Sequence, residues 1–282
     1  MTQLNLLTVL KRTEDFLRRN AIASPRLEAE MMLANVLKTE RLQLYLDFDK
    51  PLLESELAPL RPMLKRRIQR EPLPWILGEW GFYNEEFIVL PDVLCPRSDT
   101  EALINIVLEH IPKEGDFFVA DIGCGSGCIG LTLALERPNI KLFAVDIASA
   151  ALECTKRNVA KFDLQDRVAV LKGPFLNPIP ANRPIDIIVS NPPYIPSADI
   201  EDLEPEVSEY EPRIALDGGA DGLDVYNVLI PKAAQRARVA VAVEVGIHQA
   251  LKVSAIMQDS GLCNIQVVND LGGVPRVVMG FK

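Results

Sequence analysis

Apolar positions follow one spacing in the first part of this chain and another in the rest. Residues 1–77 carry a helical spacing. Ser24 and Pro25 form an N-cap and first-turn pair, after which Leu27, Met31, Ala34 and Leu37 return every three or four positions and predict an amphipathic helix. Leu60, Leu64 and Ile68 make a second stripe, ringed by Arg61, Lys65, Arg66, Arg67 and Arg70. That basic cluster reads as a solvated helix face, with contact to RNA or an acidic protein surface as the alternative. Together these stretches predict a small helical bundle.

From Gly78 to Pro96 the pattern changes. Trp80, Phe82, Phe87 and Val89 are broken by Asn84 and Pro91, which predicts a hairpin-like linker over 78–100. Over 101–282, strand-like runs (117–122, 141–146, 168–171, 185–190, 239–245) alternate with helical ones (129–136, 148–161, 225–239). This alternation predicts an α/β domain built on a doubly wound parallel sheet. The last two strand candidates, 264–268 and 276–280, are joined by a link too short for a crossover helix, so they are expected to pair antiparallel.

Composition narrows the function. With 48% hydrophobic and 24% charged residues, the 282-residue chain can bury a full core and is not a disordered one. A net charge of -9 excludes a protein that coats nucleic acid non-specifically. The charge is uneven: residues 1–80 hold 13 cations and 11 anions (+2), and residues 81–282 hold 17 and 28 (-11). Five cysteines without a CxxC pair, and only His110 and His248 beside them, offer no zinc set, so no metal is expected. The thiols read as reduced and the location as cytoplasmic, since no signal pattern is found and the apolar run 239–243 is too short to cross a bilayer.

Two motifs carry chemistry. Asp121-Ile-Gly123-Cys124-Gly125-Ser126-Gly127 closes one strand and opens a helix, where glycines let the backbone approach a ligand. Asp146 ends the next strand, where a carboxylate can accept hydrogen bonds from ribose hydroxyls. Cys128 stands where a dinucleotide fingerprint has its third glycine, which favours S-adenosyl-L-methionine over a pyrophosphate cofactor. The alternative is a tight turn without a ligand, and Cys124 and Cys128 read as small fillers.

The second motif is Asn191-Pro192-Pro193-Tyr194, directly after the buried strand that ends at Ser190. Two prolines fix two φ angles and remove two amide donors, leaving the Asn191 side chain and the Pro192 carbonyl as a rigid pair of acceptors. Such a pair suits a planar NH2 group, because accepting both hydrogens localises electron density on the nitrogen and aims it at a methyl donor. Tyr194 is expected to stack on that group near the sulfonium. An amide side chain, adenine N6 and cytosine N4 all match, and a bare proline turn is the alternative without chemistry.

The chain resembles the glutamine-N5 methyltransferases that modify the Gly-Gly-Gln tripeptide of class I peptide chain release factors. The resemblance spans nearly the whole length. It rests on Trp75 to Gly78, Pro96-Arg97-Ser-Asp99-Thr-Glu101, Asp121 to Gly127, Val145-Asp146-Ile147, Ser190 to Ile195, Ala215 to Gly219 with Asp221-Gly-Leu223, Glu244-Val-Gly246 and Pro275 to Val278. The tetrapeptide alone is shared with N6-adenine DNA methyltransferases; the ordered set is not.

The resemblance implies a Rossmann-like, seven-stranded methyltransferase domain, and an N-terminal bundle that docks the release factor. It also implies S-adenosyl-L-methionine as cofactor, with S-adenosyl-L-homocysteine as product. Carried over, Asp121, Gly123 to Gly127, Asp146, Phe175 and Asn191 bind the cofactor, and Asn191 to Tyr194 grip the glutamine amide. Pro174 stands where the family usually has an acid, and Ser98 where it usually has proline. A monomer without direct DNA contact is expected. The rival readings are an adenine N6 nucleic-acid methyltransferase and a non-catalytic cofactor-binding adaptor.

Other candidates have a bland reading beside the functional one. Arg97 is read either at the active-site entrance, as the resemblance implies, or in a structural ion pair, and Glu244 either in catalysis or in a satisfied hydrogen bond. The acidic run from Asp199 to Glu211 is expected to be a hydrated flap that steers a basic loop. His110 and His248 receive no catalytic role.

Overall fold

The helical spacing of the first part becomes six helices. The computed structural model describes residues 4–282, and its two units divide between Gly78 and Glu79. In the first unit, α1 (Leu6–Arg19) is capped by Asn5, whose side chain accepts from the Thr8 amide at 3.0 Å. Ser24 and Pro25 open α2 (Pro25–Leu37) as predicted. Its inner face differs from the predicted stripe: Leu27 is exposed and Met31 half-buried, while Ala29, Met32 and Leu33 are buried. The face turns because two carboxylates occupy inner positions. Glu28 accepts from Arg67 Nε and Nη2 at 2.6 and 3.1 Å, and Glu30 accepts from Arg26, Arg41 and the Tyr45 hydroxyl. Counting only apolar residues assigns both to solvent; pairing lets them be buried.

The remaining helices of this unit are α3 (Arg41–Leu46), α4 (Glu54–Leu57), α5 (Leu60–Ile68) and α6 (Leu73–Leu77), and β1 (Leu4–Asn5) pairs with β2 (Pro51–Leu52). On α5 the buried residues are Leu60, Met63 and Arg67, not Leu60, Leu64 and Ile68. The basic cluster is therefore not one solvated face: Arg67 is 5% exposed in its pair with Glu28, Arg66 pairs with Glu71 and Arg61 with Glu54.

The second unit opens on the predicted hairpin, β3 (Glu79–Phe82) and β4 (Glu85–Ile88), paired antiparallel. It then runs α7 (Glu101–Glu109), β5 (Phe117–Ile122), α8 (Cys128–Glu136), β6 (Ile140–Asp146), α9 (Ser149–Lys161), β7 (Val168–Lys172), β8 (Ile187–Ser190), α10 (Asp224–Arg236), β9 (Ala240–Glu244), α11 (Ala250–Asp259), β10 (Cys263–Asn269) and β11 (Pro275–Phe281). Helices α7 and α11 go beyond the elements that the pattern predicted. Asn158 of α9 fastens the hairpin, accepting from the Ile88 amide at 2.7 Å and donating to its carbonyl at 2.9 Å.

The sheet is seven-stranded in the order β10-β11-β9-β8-β5-β6-β7, with β9, β8, β5, β6 and β7 parallel and β11 antiparallel to both its neighbours. Successive residues face opposite sides. Val119, Ile187, Val189 and Ala242 join one core with α7 and α8, and Ala120, Ile188, Val241 and Val243 join the other with α10 and α11. Both faces are covered at the centre of the sheet, which is why β8 and β9 read as near-continuous apolar runs. Among the described residues no helix is long and apolar enough to cross a membrane.

Helix α8 packs closely on the sheet through Gly130, where a Cβ would stand 2.8 Å from Leu142 Cδ2 and 3.0 Å from Asp121 Cβ. Gly130→Ala is expected to destabilise the protein by about 1–3 kcal/mol through overpacking, read as a lower midpoint in urea unfolding. An unchanged midpoint would refute the close-packing role.

Candidate active site

Chain order reverses at β5, which lies between β6 and β8, and a doubly wound sheet opens its ligand crevice at such a switch point, beyond the carboxyl ends of its strands. Ser190 Oγ ties the two strand ends by donating to the Ile122 carbonyl at 2.6 Å. Directly beyond them lies a cavity of about 550 Å³, whose walls include Ile122 to Ser126, Val145 to Ala148, Gly173 to Phe175 and Ser190 to Pro193.

The glycine loop forms one wall. Gly123 and Gly125 have φ of +72° and +57°, and a Cβ on either would meet no protein atom within 4 Å. Both glycines line the cavity, so the missing side chains leave their backbone open to close approach from it. Asp146 borders the cavity at the end of β6 and also orders the loop, its Oδ2 accepting from the Gly125 amide at 3.0 Å and its Oδ1 from Ala148 at 2.8 Å. Phe175 lines the cavity with its φ at +51°, and Lys232 Nζ lies 4.8 Å from its ring centre.

Two predicted cofactor residues act from behind the wall. Gly127 does not line the cavity; it caps α8 with φ at +83°, and a Cβ there would meet Leu131 Cδ1 at 2.9 Å. Asp121 is fully buried beneath the loop, where its Oδ2 accepts from the Gly130 amide at 2.9 Å. Burial raises its pKa to about 7. The thiols of Cys124 and Cys128 are likewise raised by burial, as suits filler side chains.

Asn191, Pro192 and Pro193 line the cavity where β8 ends. Asn191 Nδ2 donates to Thr100 Oγ1 at 3.3 Å, and no described donor meets Asn191 Oδ1 or the Pro192 carbonyl. Tyr194, outside the residues that line the cavity, is half-buried, and its hydroxyl donates to Glu244 Oε1 at 3.3 Å. The Tyr194 carbonyl is held by Gln249 Nε2 at 2.8 Å.

Glu244, left open between two readings, lies behind this loop at 1% exposure, and its Oε2 accepts from Thr100 Oγ1 at 2.5 Å. Burial raises its pKa to about 7 against the hydrogen bonds from Thr100 and Tyr194 and the charge of Arg276. Thr100 is the functional-looking residue that pattern reading missed, although it stands inside the quoted Pro96 to Glu101 motif. Arg97 satisfies both of its readings: it lines the cavity and donates to Glu211 at 2.6 Å. The expected flap is accordingly anchored at its end, for Glu211 is 5% exposed and also accepts from the Cys95 amide at 3.1 Å. His110 meets the Phe281 ring edge-to-face, and neither it nor His248 is among the residues that line the cavity.

This sheet, with its glycine loop and switch-point cavity, is a methyltransferase fold, and residues 87–203 match the family described as methyltransferase small domain. Residues 8–78 match the PrmC N-terminal domain. The chain is 42% identical over 274 residues to a release factor glutamine methyltransferase of Geobacter sulfurreducens, covering 96% of this chain and 95% of that one. It is 37% identical to the protein of that name from Caulobacter vibrioides, covering 99% and 97%. Among solved structures, the hMettl16 catalytic domain in complex with MAT2A 3'UTR hairpin 6 shares the fold with a TM-score of 0.56 and 15% identity, over 80% of this chain and 81% of that one. The chain belongs to the release factor glutamine methyltransferase family.

Proposed function

We propose that the chain transfers a methyl group from S-adenosyl-L-methionine to the side-chain nitrogen N5 of the glutamine in the Gly-Gly-Gln motif of class I peptide chain release factors, with S-adenosyl-L-homocysteine as product. The observation that carries this reading is the pair of open acceptors, Asn191 Oδ1 and the Pro192 carbonyl, on the wall of a cavity whose glycine loop is built for an occupant. Near full-length relatives with that activity in their name support it.

Gly123, Cys124, Gly125 and Ser126 would hold the cofactor along the loop, with Asp146 toward its ribose and Phe175 toward its adenine. Pro174 brings no side-chain acceptor, which leaves backbone groups to meet the adenine amino group. Bound there, the cofactor supplies an electrophilic methyl group on a positively charged sulfur. Asn191 Oδ1 and the Pro192 carbonyl accept the two N–H hydrogens of the glutamine amide, localising its lone pair and orienting the nitrogen. The proline-rich loop keeps both acceptors in place and water out, so little reorganisation accompanies the transfer. The nitrogen becomes acidic as it gains the methyl group and releases its proton without a strong base.

In this reading the helical unit docks the release factor, and the protein acts as a cytoplasmic monomer without contact to DNA. Peptide mass mapping of a release factor treated with enzyme and cofactor tests the reading: one added methyl on the Gly-Gly-Gln glutamine is the expected result, and an unmodified peptide contradicts it.

A further inference from the structure

An asparagine side chain has two ends of nearly equal shape, one accepting and one donating hydrogen bonds. The chemistry above needs the accepting end toward the substrate, and shape alone does not select it. We infer that Thr100 and Glu244 are positioning residues that fix which way round the Asn191 amide faces. This inference rests on the function proposed above and names two residues it does not assign.

An ionised Glu244 carboxylate only accepts, so the single hydroxyl hydrogen of Thr100 goes to its Oε2, 2.5 Å away. Thr100 Oγ1 is then left to accept, and what it accepts is Asn191 Nδ2 at 3.3 Å. With Nδ2 held there, Oδ1 is the end that remains for a substrate amide. The other carboxylate oxygen accepts from the Tyr194 hydroxyl at 3.3 Å. One carboxylate thus holds both ends of the Asn191 to Tyr194 loop, the first through Thr100 and the last directly.

The two positioning residues are almost closed to solvent, although Thr100 also borders the cavity. Thr100 is 2% and Glu244 1% exposed, and Tyr226 fixes the Glu244 backbone by donating to its carbonyl at 2.8 Å. A buried network of this kind imposes one arrangement only while every member keeps its role as donor or acceptor.

Protonation of Glu244 removes that polarity. A neutral carboxyl can donate to Thr100, whose hydrogen is then free to turn toward Asn191 and favour the inverted amide. The groups facing Glu244 are Asp99 and Thr100 before α7, Cys128 at the start of α8, Tyr194 after β8, Tyr226 of α10 and Arg276 of β11. Arg276 favours the ionised form, although its charge is shared with Asp99 at 2.9 Å and Asp270 at 3.0 Å. Because burial sets the carboxyl near pH 7 and the ionised form is the active one, turnover rises as pH increases through that value and is lost below it.

The test measures turnover of a Gly-Gly-Gln release factor by the full chain at saturating S-adenosyl-L-methionine across neutral pH, with cofactor affinity determined separately by calorimetry. Thr100→Val is expected to lower kcat about tenfold to a hundredfold without changing cofactor affinity, and Thr100→Ser to restore most of it. Glu244→Gln is expected to flatten the limb that the unaltered protein shows near pH 7. A purely structural pair predicts otherwise. Turnover of Thr100→Val equal to that of the unaltered chain, or a limb surviving in Glu244→Gln and therefore owed to another group such as Asp121, would overturn the inference and leave the proposed function standing. Absence of transfer by the unaltered chain would overturn both.

Discussion

Replacing Asn191 by alanine is expected to lower turnover of a release factor by about 10²–10³-fold, the usual loss when one preorganised polar contact to the reacting group is removed, and to weaken S-adenosyl-L-methionine binding far less. The expectation follows from position. Asn191 stands at the carboxyl end of β8, its Nδ2 committed to Thr100 and its Oδ1 open to the cavity. Alanine removes one of two acceptors and with it the localisation of the lone pair, while the glycine loop across the switch point is untouched. Turnover equal to that of the unaltered chain would remove Asn191 from the chemistry.

The second large effect concerns the cofactor. Gly125→Val is expected to weaken S-adenosyl-L-methionine binding at least about a hundredfold, by steric overlap and by backbone strain of about 1–3 kcal/mol at φ +57°. The isopropyl group would project into the cavity, since nothing in the protein lies within 4 Å of the Cβ position. The backbone around it is also fixed, with the Gly125 amide donating to Asp146 Oδ2 at 3.0 Å and its carbonyl accepting from Thr155 Oγ1 at 2.9 Å. The loop therefore has little freedom to move aside. Calorimetry reads the affinity, and an undiminished value would mean that the loop is a structural turn and no cradle.

Much of the α/β unit was legible because both faces of its sheet are covered. The central strands are largely apolar, 187–189 and 240–243 wholly so, and 117–122 is interrupted only by Asp121. The bundle was harder to read, because Glu28, Glu30 and Arg67 occupy inner positions that only their partners make tolerable. A one-dimensional pattern shows charges and not pairings, so the predicted stripes of α2 and α5 only partly match the buried faces: Ala34 and Leu60 are buried, and Leu27 is exposed.

The site divided along the same line. Groups that face the cavity through backbone or loop, Gly123, Gly125, Asn191 and Pro192, were readable from glycine spacing and proline rigidity. Groups that act through another residue were not. Asp121 and Gly127 stand behind the wall that they were expected to form, and Thr100 carries no local signal because its partners lie 91 and 144 residues away. Nothing local in a sequence marks a threonine that completes such a network.

Methyl transfer to one glutamine of a protein is tested by following labelled methyl from S-adenosyl-L-methionine with three acceptors offered in parallel: an intact class I release factor, the same factor with its Gly-Gly-Gln glutamine changed to alanine, and unmethylated duplex DNA. Label on the intact factor alone is the predicted result. Label on the DNA, on the altered factor, or on none of the three would contradict the account.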